Sequence, residues 1–312
     1  MLEVIKAGFL TTVQDLGRVG WARFGIPAAG PSDPFALRAA NSLVGNAPQA
    51  AGLEITMLGP VLRVSRDCLI AACGAEFDLQ VRGLSMPSWQ AVFVRAGDEI
   101  RFGKRYWGMR AYLAISGGIV LQEFLGSRAT FLAGGFGGLE GRALRAGDKL
   151  VLGPIGQDLS GHAGKAWPLA AQPPYSSSPV LRVVLGPQDD YFTPEGLATF
   201  LGSEYEITTS SNRMGLRLRG PVVAHRDRVE IVSDGLVPGS VQVPGDGRPI
   251  VLMCDHQTTG GYPKIATVIR ADLPLLAQCL PGNRVRFREA SVAQAQAALR
   301  SQEEYFLSGF NL

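Results

Sequence analysis

The side chains best suited to chemistry lie between two apolar runs. Pro249-Ile250-Val251-Leu252 reads as a buried strand and Ile265-Ala266-Thr267-Val268-Ile269 as another. Between them, Asp255, His256, Gln257, Thr258, Thr259, Gly260, Gly261, Tyr262 and Lys264 offer an acid, an imidazole, an amide, hydroxyls, a flexible glycine pair and a cation. A plain turn needs only a few residues of Gly, Asn or Asp, so this richness marks a candidate site. The competing reading is a well hydrogen-bonded loop. Lys264 is expected to stabilise an oxyanion or a phosphate. Gly260-Gly261 lets backbone approach a ligand, and Pro263 fixes the approach of the lysine. The alternative is a lysine that faces solvent. Asp255 and His256 are acid/base candidates, but neighbours along a strand point apart, so one of the two is expected to face the site. Gln257, Thr258 and Thr259 suit hydrogen bonding to an amide, with Tyr262 beside them. Asn212 and Arg213 form a second candidate turn whose guanidinium could clamp a carboxylate or phosphate. Gln242, after Gly239-Ser240, is a candidate amide reader.

Several chemistries find no support. The four cysteines, Cys68, Cys73, Cys254 and Cys279, have no CxxC spacing and read as reduced, buried small residues. They form no pattern with zinc-ligand spacing, so no metal site is expected. No GxxxxGK[ST], GxSxG, HExxH or strand-following GxGxxG occurs. Net charge is +3 with the basic residues scattered, which argues against a nucleic-acid or membrane-binding face. The first residues lack the apolar core of a signal peptide, and no run approaches the ~18 apolar residues of a membrane span. A cytoplasmic protein is the expectation.

The elements that must position these groups are mainly strands. Thirty-nine glycines and twenty prolines imply many turns, and 46% hydrophobic residues are enough for real cores. Arg95-Ala96-Gly97-Asp98-Glu99-Ile100 recurs as Arg145-Ala146-Gly147-Asp148-Lys149-Leu150, and more weakly as Pro281-Gly282-Asn283-Arg284-Val285. Each is a Gly-Asp or Gly-Asn turn leading into an alternating strand, a pattern of barrels and sandwiches. Cys68 to Ala75 is apolar on both faces, as a central strand would be. Three short helices are expected: one opened by Asp33-Pro34, one within 190–201 and an alanine-rich one from Ala290 to Arg300. Ala133-Gly134-Gly135-Phe136-Gly137-Gly138 reads as a flexible loop, a hinge or a lid. Asp15 and Arg18 are expected to form an ion pair that holds the N-terminal loop, while Glu54 in its strand is ambiguous. The proline- and serine-rich stretch near 172–179 divides a β-rich first subdomain, 1–155, from a second, 180–312, with 156–179 as linker.

Five motifs in one order carry a resemblance: Thr11-Thr12-Val13-Gln14-Asp15-Leu16-Gly17-Arg18, Ala40-Asn41-Ser42-Leu43-Val44-Gly45-Asn46, Leu53-Glu54-Ile55-Thr56, Ser211-Asn212-Arg213-Met214-Gly215 and Gln257-Thr258-Thr259-Gly260-Gly261-Tyr262-Pro263. Together they resemble the allophanate hydrolase subunit 2 family, also called KipA or biotin-dependent carboxyltransferase-like, from about residue 8 to 287. The resemblance implies a cyclophilin-like β-barrel architecture. It also implies the role of one of three components of an ATP-dependent 5-oxoprolinase, the other two being a KipI-like protein and a LamB/YcsF-like protein, with ATP (and Mg) used in the complex. Two alternatives stay open. One is a carboxyltransferase that moves CO2 from biotin on a separate carrier to a urea-like amide; the other is a KipA-type regulatory protein that counteracts a KipI-type kinase inhibitor. A site shared with a partner protein is part of the same implication.

Overall fold

Strand alternation and capped helices account for most of the architecture seen in the computed structural model, which describes residues 1–156, 159–227 and 229–307. The fold is mainly β with a few short helices. It divides into two compact units: Met1–Arg18 with Ala29–Gln172, and Val19–Ala28 with Pro173–Leu312. Val19–Ala28 therefore groups with the second unit, whereas the sequence alone suggests a continuous first subdomain. The change at 172/173 falls inside the stretch of linker composition.

The first unit is built on a ten-stranded sheet. Its spine is the antiparallel pair Cys68–Val81 and Glu99–Ile115, running from Ile70 opposite Ile115 to Val81 opposite Ile100 through several bulges. Cys68 to Ala75 is buried throughout, as an apolar run on both faces requires, and the helix Pro34–Leu43 packs on these strands. Asp33 starts that helix by accepting from the Ala36 N–H, with Pro34 at the first helical position. The first two copies of the turn echo enter the strands Glu99–Ile115 and Lys149–Leu152.

Two buried polar clusters hold loops of this unit. Asp15 accepts from Gly17 N, Ser127 Oγ and Arg128 N, while Arg18 donates to the Ala129 carbonyl and lies over the Phe136 ring. The N-terminal loop is held by these hydrogen bonds. Glu54 accepts from Ser32 N at 2.9 Å and from the Tyr112 hydroxyl at 2.7 Å, with Arg110 at 3.7 Å. It is a structural hub in the unit's interior. The reading of 133–138 as a hinge is corrected at Gly137 and Gly138. A Cβ at Gly137 would meet the Ala129 carbonyl oxygen at 2.1 Å, and one at Gly138 would meet Thr130 Oγ1 at 1.9 Å. These glycines serve close packing at positive φ, with Phe131 and Phe136 bridged across the turn.

The second unit contains a closed seven-stranded barrel. Its order is Val180–Leu185, Lys264–Val268, Ser240–Gln242, Ile250–Leu252, Gly215–Arg219, Glu204–Ile207 and Arg284–Glu289, the last pairing in parallel with the first. Inward residues alternate with outward arginines: Val285 and Phe287 point in while Arg284, Arg286 and Arg288 point out, and Leu216 and Leu218 alternate with Arg217 and Arg219. Phe200, from the helix Pro194–Gly202, stacks on Phe287 at 4.4 Å inside this core. Each such buried side chain contributes about 1.5–3 kcal/mol. Thr193 caps that helix, and a reciprocal Ser291/Gln294 pair caps Val292–Leu307. All four cysteines are free and buried, and no helix among the described residues is long and apolar enough to cross a membrane.

Gly138→Ala tests the corrected reading of 133–138. It is expected to lower unfolding stability by about 1–3 kcal/mol in a urea titration, because a new methyl meets Thr130 in a left-handed backbone. A hinge would tolerate the change.

Candidate functional site

The barrel strand Lys264–Val268 brings one set of candidate residues together. Lys264 lies opposite Gln242 on the neighbouring strand, at a register shift between Val241 and Gln242. Outside the barrel, Asp234–Gly235 and Thr259–Gly260 form a separate two-stranded ribbon, with Asp234 opposite Gly260. The ribbon is tied down by Leu236 N donating to the Thr258 carbonyl and Ile231 N donating to that of Gly261.

Lys264 is buried, not solvent-facing. Its side chain is 3% exposed, and Nζ donates to Asp234 Oδ2 at 2.6 Å and to the Gly235 carbonyl at 3.4 Å. The hydrogen bond from this ammonium holds the Asp234 carboxyl below the usual carboxylate range. Gln188 lies under both partners. Its Oε1 accepts from Lys264 N at 3.1 Å, its own N–H donates to the Lys264 carbonyl at 3.1 Å, and Nε2 donates to Asp234 Oδ2 at 3.4 Å. Gln242 is 2% exposed and donates from Nε2 to the Tyr262 carbonyl at 3.4 Å. A Cβ built on Gly260 would meet Gln242 Nε2 at 2.9 Å and Gln257 Nε2 at 3.4 Å. Two amide ends therefore converge over this glycine. The space at Gly260 holds side-chain amides, and that at Gly261 holds the Ile231 carbonyl, so the glycine pair admits protein neighbours where backbone–ligand approach was expected. Tyr262 is partly exposed beside them.

A second set forms a different structure. Arg213 and Asp255 make a two-pronged ion pair, Nε to Oδ2 at 2.8 Å and Nη2 to Oδ1 at 3.0 Å, with both side chains buried. The carboxylate that Arg213 clamps belongs to the chain itself, and Asp255 is held by a permanent cation. The expectation of a substrate clamp at Arg213 and a proton-exchanging Asp255 gives way to a structural pair. Asn212 likewise spends its Oδ1 on Met214 N and Gly215 N, making the turn that enters the strand Gly215–Arg219. Cys254 packs its sulfur near the Arg213 carbonyl.

His256 links the two sets along the chain. Both it and Asp255 are buried, so alternation did not send one of them to solvent. Burial pulls the His256 imidazole below its ordinary value, opposed by the contact with the Gln257 carbonyl and by Asp255. Nδ1 lies 2.5 Å from that carbonyl, which can only accept, so Nδ1 carries the proton and Nε2 keeps a lone pair. At neutral pH this is the electronic arrangement of a base. Thr258 supplies its carbonyl to the ribbon, and Thr259 is an exposed ribbon residue. Among the described residues, no group of three or more His, Cys, Asp or Glu side chains is placed to hold a metal.

Asp234 and Gln188 were missed by sequence reasoning. They lie 30 and 76 positions from Lys264, and each sits in a sequence that reads as an ordinary turn, Ser233-Asp234-Gly235 and Gly186-Pro187-Gln188.

Comparison with known proteins gives a consistent result. The family described as carboxyltransferase domain, subdomain A and B, matches residues 24–289. The chain is 39% identical to the C subunit of 5-oxoprolinase from Escherichia coli, over 98% of this chain and 96% of that protein. It is 36% identical to the protein of the same name from Haemophilus influenzae, over 98% and 96%. The solved urea amidolyase of K. lactis superposes with a TM-score of 0.93 at 31% identity, covering 99% of this chain and 20% of that one.

Two outcomes are expected from these contacts. Arg213→Ala should cost about 3–5 kcal/mol of stability by leaving the Asp255 carboxylate buried and unmatched, and the double variant Arg213→Ala/Asp255→Ala should recover part of that loss in urea titration. For His256 the folded value lies below the unfolded one. Below about pH 6.5 the unfolded chain therefore takes up a proton that the folded chain refuses, and stability falls as pH drops from there toward the folded value. His256→Gln should flatten that part of the stability profile.

Proposed function

The chain belongs to the carboxyltransferase domain family, subdomains A and B, and we propose that it is the C subunit of an ATP-dependent 5-oxoprolinase. In this reading it opens 5-oxoproline to glutamate together with a KipI-like protein and a LamB/YcsF-like protein as the other two components. The observation that carries the proposal is the end-to-end match, above 95% of both chains, to proteins named as the C subunit of 5-oxoprolinase.

The chemistry of the Lys264 cluster supports the same reading. A lactam carbonyl is a poor electrophile, so its opening needs an activated oxygen and a stabilised tetrahedral oxyanion. ATP supplies the activation in the complex: water is consumed, the lactam C–N bond breaks, and glutamate, ADP and phosphate are released. The residues of this chain have simpler tasks. Lys264 offers a desolvated cation to an anionic group of the substrate, worth far more there than in water. Gln242 and Gln257 present amide donors and acceptors to the lactam N–H and carbonyl. His256 Nε2 offers a lone pair for a proton.

A second reading rests on a specific likeness. Urea amidolyase of Lachancea kluyveri is 35% identical over 96% of this chain, though the chain spans 17% of that protein. There the same cluster would receive the ureido group of biotin carried by another protein and transfer CO2 to a urea-like nitrogen.

The discriminating experiment is reconstitution. The chain, co-purified with its two proposed partner proteins, should release glutamate from 5-oxoproline only when ATP is present. Lys264→Ala should lower kcat/KM by about 10²–10³-fold while the three-protein complex still forms on size-exclusion chromatography. Biotin-dependent carboxylation without glutamate release would favour the second reading, and full activity of Lys264→Ala would remove the lysine from the mechanism.

A further inference from the structure

The pairing of Lys264 with Asp234 is lopsided. The lysine is 3% exposed inside the second unit, whereas the carboxylate that neutralises it is 52% exposed on a two-stranded ribbon outside the barrel. Arg213 and Asp255, by contrast, are both buried and both carried by the barrel's own connections. A cation built to stay neutralised would be given a buried partner; this one has a partner that solvent already reaches. The ribbon is only two residues long on each side, and Val232 and Val237 flank it at 93% and 53% exposure. Beneath the ion pair, Gln188 fixes the Lys264 backbone from both sides while touching Asp234 only at 3.4 Å. The lysine is held firmly and its counter-charge loosely. Beside them Gln242 is 2% exposed and donates to the Tyr262 carbonyl.

We propose that Asp234 is a placeholder: the carboxylate of the true ligand displaces it from Lys264, while the ligand's amide is read by Gln242 and Gln257. The site thereby selects a small amide that carries its own carboxylate over a neutral amide of the same shape. Gln188 is a positioning residue that keeps Lys264 aimed while its partner changes. This inference rests on the oxoprolinase reading for the identity of the ligand, and it adds a reason why that ligand is recognised: a lactam with an adjacent carboxylate supplies both halves, and urea or a bare lactam supplies one. The exchange is electrostatically even, one carboxylate for another on a desolvated cation, so binding needs no net burial of charge.

The test is lysine footprinting on the full chain, with an acetylating reagent and mass spectrometry, using exposed Lys149 as internal reference. In the native chain Lys264 should react at least tenfold more slowly than Lys149. In Asp234→Asn, which keeps the shape and removes the charge, Lys264 should become several-fold more reactive. Adding 5-oxoproline should protect it again, with a midpoint at least tenfold lower than any effect of 2-pyrrolidinone, the same ring without a carboxylate. Because Asp234 no longer competes, that midpoint should also be lower than the one for binding to the native chain. Equal protection by the two lactams, or weaker 5-oxoproline binding in Asp234→Asn than in the native chain, would overturn the proposal. N-acetylglycine, an open-chain amide with a carboxylate, separates the two claims. If it protects Lys264 in Asp234→Asn and 5-oxoproline does not, the placeholder stands and the oxoprolinase reading falls. If neither protects, the placeholder falls, whatever the reconstituted complex does with 5-oxoproline. Gln188→Ala should raise the 5-oxoproline midpoint in Asp234→Asn, and Gln188→Glu should not restore it, because a new carboxylate would compete for the same cation.

Discussion

A cation taken out of water must be met by negative charge, and much of the second unit's local design follows from meeting that requirement at Lys264. The barrel strand that carries the lysine is pinned by Gln188 on one side and paired with Gln242 on the other. The ribbon of Asp234–Gly235 and Thr259–Gly260 then delivers the carboxylate. Gly260 has no side chain because two glutamine amides and Leu236 already crowd the place a methyl would take. The run from Gln257 to Lys264 thus carries one strand of the ribbon, the crowded Gly260 and the lysine itself, with Tyr262 left at its edge.

Buried charge elsewhere in the molecule is treated differently. Arg213 with Asp255, and Arg182 with Asp272, are two-pronged pairs whose carboxylates are inaccessible, and they join segments that have to stay joined. In the first unit, Glu54 collects the Ser32 N–H and the Tyr112 hydroxyl, and Asp15 collects three donors from two loops. Such clusters fix loop paths because each member loses its hydrogen bonds if the others move. The contrast is between carboxylates that are closed to solvent and one, Asp234, that is half open.

Local chemistry made the scaffold readable. Asp33-Pro34 starts a helix where capping rules place it, and all three Gly-Asp or Gly-Asn turns enter strands. Lys264, Gln242 and Gln257 were identifiable as candidates from residue type and from the apolar strands that frame them. Their partners were not. Asp234 and Gln188 reach Lys264 only through the closure of the barrel and the folding back of the ribbon, and no periodicity spans such separations. Arg213 and Asp255 were visible individually, but 42 positions hid that each is the other's partner. Gly137 and Gly138 show a further limit: composition alone cannot distinguish glycine kept for freedom from glycine kept for close packing, and here contact with Ala129 and Thr130 decides for packing. The membership of Val19–Ala28 in the second unit is equally a matter of long-range contact.

The Lys264 charge holds the Asp234 ribbon in place on an otherwise independent barrel. Hydrogen exchange in Lys264→Met, which keeps the length of the side chain and removes the charge, tests it directly. The amides of Ile231 and Leu236, which tie the ribbon to Gly261 and Thr258, should exchange at least tenfold faster than in the native chain. Amides of the barrel strands Gly215–Arg219 and Ile250–Leu252 should keep their native protection. Unchanged protection at Ile231 and Leu236 would mean that the ribbon is held without the lysine charge.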